Sequence, residues 1–210
     1  MSIEIMSDLS EIIHYEYAGM PLYIQTADLS VYPDMSAPCH WHDDIEWIHI
    51  LSGKMNYYIN GKHLTLNTND SLMINARQMH YGYSYKRQDC RFSCILFHPS
   101  LFCNNRILRE KYITPVLEST NLEYLYFDSK LGHGQVVSES LIKMVQLKES
   151  ATRAYELEAI AIMHSLWSTV FKQGDLMPNN NTPVQDDLLI QKNMVSFIYQ
   201  HFKDIFSLKC

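Results

Sequence analysis

From residue 21 to residue 98 the chain runs in short stretches rich in Tyr, Ile, Val, Leu and Phe, broken by turn residues at the intervals of a sandwich or barrel. The sharpest local signal is Asn60-Gly61, set between Met55–Ile59 and Lys62–Leu66. Both central positions of a type I′ turn need positive φ, which Asn and Gly tolerate best, so a hairpin is predicted there. A second turn at Asn67-Thr68-Asn69-Asp70 leads into the strand-like Ser71-Leu72-Met73-Ile74. Another strand is predicted at Arg91–Phe97, closed by His98-Pro99, where proline ends regular pairing.

After Pro99 the period changes. Ser138-Glu139-Ser140-Leu141 opens a predicted helix running to about Leu147. A longer one is predicted from about Ala154 to Lys172, with Leu157, Ile160, Ala161, His164, Leu166, Trp167, Val170 and Phe171 near helical spacing. Gly174 ends it, and Pro178–Pro183 reads as a polar linker. A last helix is expected from about Gln185, with acids at its positive end, through Ile190, Met194, Val195, Ile198 and Phe202. Strands followed by helices predict a β barrel plus α architecture with the helices on one side.

Composition narrows the class. The 210 residues are 47% hydrophobic and 12% aromatic, which suits a packed core, and no apolar run is long enough to span a membrane. The first residues carry acids where a secretory signal needs basic ones, so a cytoplasmic location is expected. Cys39, Cys90, Cys94, Cys103 and Cys210 form no C-x-x-C pair, and reduced, mostly buried thiols are expected. The formal net charge of −6, with Lys and Arg scattered, makes this chain a poor DNA binder by itself.

The candidate chemistry sits in His40-Trp41-His42-Asp43-Asp44-Ile45-Glu46. In extended chain, residues two apart share a face, so His40, His42 and Glu46 point one way and Trp41 and Trp47 the other. By the same parity His49 faces outward or packs on a neighbouring element. A hairpin return brings His80 beside the first three. Three imidazoles and a carboxylate suit Fe, Mn, Ni, Zn or Cu. The four either hold such an ion or hydrogen-bond one another or a bound molecule. Tyr57, Tyr81 and Tyr83, with Trp47, either stack on a ligand or pack in the core. His14, His63 and His98 are expected at the surface or in turns. No Ser–His–Asp order, phosphate loop or H-E-x-x-H helix is present.

H-x-H-x3-E-x6-G matches the first cupin motif at His40, His42, Glu46 and Gly53. The second motif keeps Asp70 and His80, but Asn69 replaces its glycine and Asn75-Ala76-Arg77 stands where Pro-x-Gly is usual. Over about residues 21–175 the wording resembles the sensor domain of AraC-type transcription regulators. That resemblance implies a cupin double-stranded β-helix, or jelly roll, followed by a helical dimerisation segment. It implies an N-terminal arm (1–20), a cupin barrel (21–100), and the remaining barrel edge with the dimerisation helices (101–176). Residues 177–210 would be a linker and the start of a truncated helix-turn-helix domain. Residues 194–208 look like that domain's first helix.

The implied role is sensing and not catalysis. A small effector, such as a sugar, would bind at His40, His42, Glu46, His80, Tyr57 and Tyr81. The same three histidines and Glu46 would hold a divalent transition metal (Zn, Mn, Fe or Ni), or no cofactor would be present. Leu157, Ile160, His164, Trp167 and Phe171 would form a homodimer interface. DNA would be reached only through the C-terminal part, and no membrane is involved. The alternative is a stand-alone metal-dependent cupin enzyme of dioxygenase or sugar isomerase type.

Overall fold

The computed structural model describes residues 3–17, 19–84, 86–102, 105–119, 121–150 and 153–172. The expected linker, the last helix, Gly174, Cys103 and Cys210 lie outside these residues.

Among the described residues, seven strands form one antiparallel system: β1 (Leu22–Asp28), β2 (Ile45–Ile59), β3 (Lys62–Asn67), β4 (Ser71–Ile74), β5 (His80–Tyr83), β6 (Cys90–Phe97) and β7 (Tyr124–Phe127). The main order is β1-β6-β2-β4-β7, with β3 and β5 paired to β2 off that path. β2 is the element that makes a roll of it. Its first half pairs with β6 and β4, and its second half, from Lys54 onward, pairs with β3 and β5. The register shifts between Ile50 and Ser52, just before the strand changes partners. Gly53 sits at that corner with φ +84°, and a Cβ there would lie 2.6 Å from the Asp89 carbonyl oxygen. Only glycine meets both demands, which accounts for the motif glycine.

The predicted hairpin forms as read: Asn60 and Gly61 have φ +44° and +87° between β2 and β3. Asn69 and Arg77, which stand where the second motif has glycines, keep the glycine-like backbone at φ +71° and +67°. The motif's conformation therefore survives the substitutions, with a strained non-glycine residue at each place.

Strand parity divides the apolar residues between two cores. Ile48, Ile50, Met55, Tyr57, Leu72, Ile74, Phe92, Cys94 and Leu96 fill the barrel. Trp47, Met73, Ile95 and Phe97, of opposite parity, face the helices. Two short helical turns precede β7, α1 (Arg106–Leu108) and α2 (Thr114–Leu117), joined by a π-helical turn, Arg109–Ile113. Two long helices follow it, α3 (Gly132–Ser150) and α4 (Tyr155–Lys172). α3 is longer at both ends than its apolar periodicity suggested. Val137, Leu141 and Met144 of α3 and Met163, Leu166, Trp167 and Val170 of α4 complete the second core. Among the described residues, no helix is long and apolar enough to cross a membrane.

The five residues expected on one dimer face of α4 differ in exposure. Leu157 is 72% exposed, whereas Trp167 is 5% exposed and packs on Phe97, Phe102 and Phe171. Its indole N–H donates to the Tyr112 carbonyl at 3.1 Å, and Phe171 packs on Tyr112. Half-buried Ile160 and Phe171 rest against the inner core, and His164 lies edge-on to Phe102. Helical spacing marks apolar stripes, and most of the stripe of α4 packs inward against the core shared with the sheet.

Candidate functional site

His40, His42, Glu46 and His80 converge in the barrel, all buried. His40 lies ahead of β2 and pairs with His80 by an isolated antiparallel bridge, each backbone N–H donating to the other's carbonyl at 3.2 and 2.9 Å. The ring centroids of His40 and His80 are 4.4 Å apart, and those of His42 and His80 4.9 Å. One nitrogen from each of the three rings lies within 4.8 Å of the other two, an arrangement able to hold a metal ion.

The rings are oriented by main chain. His40 Nδ1 lies 2.8 Å from the Pro38 carbonyl, His42 Nδ1 3.0 Å from that of Asp44, and His80 Nδ1 2.8 Å from that of Gln78. A carbonyl oxygen only accepts, so the neutral ring carries its proton on Nδ1 and leaves the Nε2 lone pair free. Nε2 of His42 and of His80 are buried on the inner side of the rings, beside the Glu46 carboxylate. Backbone partners behind imidazoles, with the other nitrogens turned together in front, are the support a metal-binding histidine needs. The donor set fits a divalent transition metal.

Two carboxylates flank the cluster. Glu46 Oε2 lies 2.7 Å from His80 Nε2 and 3.7 Å from His42 Nε2. It also accepts from the Tyr57 hydroxyl at 3.3 Å, and Oε1 accepts from Cys94 Sγ at 3.2 Å. Burial works to raise the Glu46 carboxyl, but the imidazoles of His80 and His42 outweigh it and hold it well below the usual range. Burial and Glu46 together push the Cys94 thiol well up, which keeps it neutral and unreactive.

The second carboxylate was not foreseen. Glu11, on the N-terminal segment, brings Oε2 to 3.5 Å from His40 Nε2, with its side chain 10% exposed. Burial first, and Glu46 second, push its carboxyl up to about 8. Burial and the neighbouring His80 and His42 lower His40 to about 3, so its ring is neutral. No spacing rule links positions 11 and 40. The segment reaches the site through a parallel bridge between Ser10 and Trp41, which a short irregular stretch does not advertise.

A narrow cavity of about 30 Å³, room for little more than a water molecule or two, adjoins the cluster. Its lining includes His40, Glu46, Tyr57 and Cys94, with Ile3 and Glu11 from the N-terminal segment. Tyr57 therefore lies where a ligand residue was expected. Tyr81 does not line it. It stacks on Tyr58 at 5.1 Å and adjoins Tyr83, near His63, on the other side of its strand. His80 and Tyr81 are consecutive in β5, so with His80 inside Tyr81 must face away. Trp47 packs on Phe127 away from the cavity, and His49 packs between β4 and α3, on Ser71 and Ser138.

The AraC-like ligand binding domain family matches residues 30–167, which includes the barrel, the histidine cluster and most of the helices. The chain belongs to that family. A relative of this AraC-like domain is the HTH-type transcriptional regulator YdeC of Bacillus subtilis (strain 168), 23% identical over 202 residues. The match takes in 96% of this chain and 69% of that regulator. Among solved structures, an apo ToxT variant from Vibrio cholerae strain SCE256 is similar over 90% of this chain and 68% of its own, at 12% identity and a TM-score of 0.49. A cupin 2 conserved barrel protein from Salinispora arenicola CNS-205 is similar over 46% of this chain and 81% of its own, at 11% identity and a TM-score of 0.35. The AraC-like domain here is a roll of antiparallel strands with a helical segment, and three of its buried histidines are placed to hold a metal ion.

Proposed function

We propose that this chain is the effector-sensing and dimerising part of a cytoplasmic transcription regulator, and that its effector binds at a divalent metal ion inside the barrel. The observation that carries the reading is the set of three backbone-anchored imidazoles whose nitrogens converge beside Glu46. His40, His42, His80 and Glu46 would hold the ion, which as a Lewis acid would bind an oxygen of the effector. Tyr57 would donate to that effector, and Cys94 would keep Glu46 in place. A sugar or another small polyol or acid suits such a site.

The cavity is too small for a sugar as it stands, so entry requires displacement of the segment carrying Ile3 and Glu11. Effector binding would select one arrangement of that segment, and through α3 and α4 one arrangement of the dimer. Lys148 of α3 contacts both Glu16 and the Ile24 carbonyl, which gives the segment a physical connection to the helices. DNA would be bound by helix-turn-helix modules, as the relationship to YdeC suggests.

The same donor set favours one other reading, a metal-dependent cupin enzyme. A thermal-shift screen of the metal-loaded protein with sugars, sugar phosphates and aromatic acids tests the sensor reading. A saturable stabilisation by one class, without consumption of the compound, is expected. Turnover of the stabilising compound would instead support the enzyme.

A further inference from the structure

We infer that the chain carries a second ligand site outside the barrel, a pocket that takes a short apolar peptide with both ends free, its carboxylate toward Arg109 and its amino group toward Glu118. The inference is independent of the metal reading proposed above.

The pocket measures about 440 Å³, a size suited to a small molecule, and none of the residues lining it borders the barrel cavity. One wall is the helical run from Arg109 to Leu117, along which Arg109, Ile113 and Leu117 recur at every fourth position. Arg109 stands at the start of that wall and Glu118 just past its end, with the apolar Ile113 and Leu117 between them. Both charged residues are exposed. Nearby Arg106 and Glu110 pair with each other, whereas among the described residues Arg109 and Glu118 form no ion pair.

The facing segments add donors. Arg77 commits its Nε to Asp43 at 2.7 Å, which offsets the charge of that carboxylate and leaves the Nη groups to donate. Ser100 N–H donates to His98 Nδ1 at 3.2 Å, so the neutral ring keeps its proton on Nε2 and is a donor there. Two backbone irregularities mark the same place. Arg109–Ile113 is a π-helical turn, and Arg77 holds φ +67°, departures that concentrate at functional sites.

A lining with a cation at one end, an anion at the other and alkyl groups between them repels a simple acid at Glu118 and a simple amine at Arg109. It complements a molecule whose order is the same with the signs reversed: carboxylate, apolar body, ammonium. That is the make-up of a di- or tripeptide of apolar residues. A free amino acid carries both charges on one carbon, with nothing between them to match Ile113 and Leu117.

The test is isothermal titration calorimetry of the chain with Leu-Leu, N-acetyl-Leu-Leu, Leu-Leu amide and L-leucine. Leu-Leu should bind saturably, one per chain, and each of the other three should bind at least tenfold more weakly. Arg109→Gln should weaken Leu-Leu at least tenfold and leave Leu-Leu amide within about twofold, because that ligand has no carboxylate to lose. Glu118→Gln should weaken Leu-Leu likewise and leave N-acetyl-Leu-Leu within about twofold. No binding of Leu-Leu, equal binding of capped and uncapped peptide, L-leucine binding as tightly as Leu-Leu, or variants that keep the wild-type affinity would each overturn the inference. The capped peptides decide the matter on wild type even if a variant does not fold.

Discussion

Glu46 Oε2 and His80 Nε2 lie 2.7 Å apart, while the Gln78 carbonyl lies 2.8 Å from Nδ1 on the far side of the same ring. The imidazoles hold this buried carboxyl in its charged form. Glu46→Gln keeps the shape of the side chain and removes that charge, so it should lower the melting temperature of the metal-free protein by a few degrees, as expected for a weakened buried contact of about 1 kcal/mol. The same variant should lose at least tenfold in metal affinity. Scanning calorimetry with and without Co(II) checks both; a variant that melts as high as the wild type in both states contradicts the pairing of Glu46 with the imidazoles.

Arg77 carries the second test, at the position where the cupin motif has glycine. Its φ of +67° is strained for a residue with a Cβ, at roughly 1–2 kcal/mol. The side chain's ion pair with Asp43 is exposed and contributes little. Arg77→Gly should therefore stabilise the chain by about 1 kcal/mol, or about 2–4 °C. Its backbone N–H bond to the His42 carbonyl is kept, so metal binding should not change.

Asn75, which replaces the motif proline, ties the barrel to the segment before β7. Its amide donates to the Val116 carbonyl at 2.7 Å and the Leu122 carbonyl at 2.9 Å, and its oxygen accepts from Ala76 N–H. Asn75→Ala strands these groups and should destabilise by about 1–3 kcal/mol, read by chemical denaturation. A proline at this position makes none of these bonds, which is why the departure from the motif is compensated here.

His49 gives a pH dependence whose sign is fixed. Burial lowers it from 6.5 to about 4, against a smaller opposing pull from Asp70. The unfolded chain binds a proton below 6.5 that the folded chain refuses until about 4, so stability falls as pH drops through that window. The difference is up to about 3 kcal/mol at pH 4. His40 adds a slope of its own, so the comparison is with His49→Gln, whose stability should fall less steeply between pH 6.5 and 4. Parallel curves would show that His49 is protonated in the folded state.

Leu157 and Trp167 separate association from folding on α4. Leu157→Glu, at an exposed position, should leave the melting temperature within a degree or two and reduce dimer content in sedimentation velocity. Trp167→Ala should cost about 3–5 kcal/mol of stability, because the indole is part of the core between helix and sheet. An unchanged dimer in Leu157→Glu would move the proposed interface elsewhere.

Much of this architecture was legible from period and turn chemistry. Asn60-Gly61 marked its hairpin, and the parity of His40, His42 and Glu46 placed them together. Tyr81 illustrates what parity forbids: next to His80 it had to leave the cavity. β7 is four residues long and the helical turns from 106 to 117 are broken by a π turn, so neither carries a period long enough to read. Glu11 was illegible for a different reason. Its place depends on a tertiary bridge to Trp41, with no local pattern to announce it. Trp167 shows a further limit: an amphipathic stripe marks a face that is buried without showing what buries it.

The most direct test of the account is metal stoichiometry by equilibrium dialysis of the metal-stripped chain against Co(II), compared with His80→Ala. The account predicts one ion per chain in the wild type and a loss of at least tenfold in affinity in the variant. Absence of stoichiometric binding, or equal binding by both proteins, would contradict it.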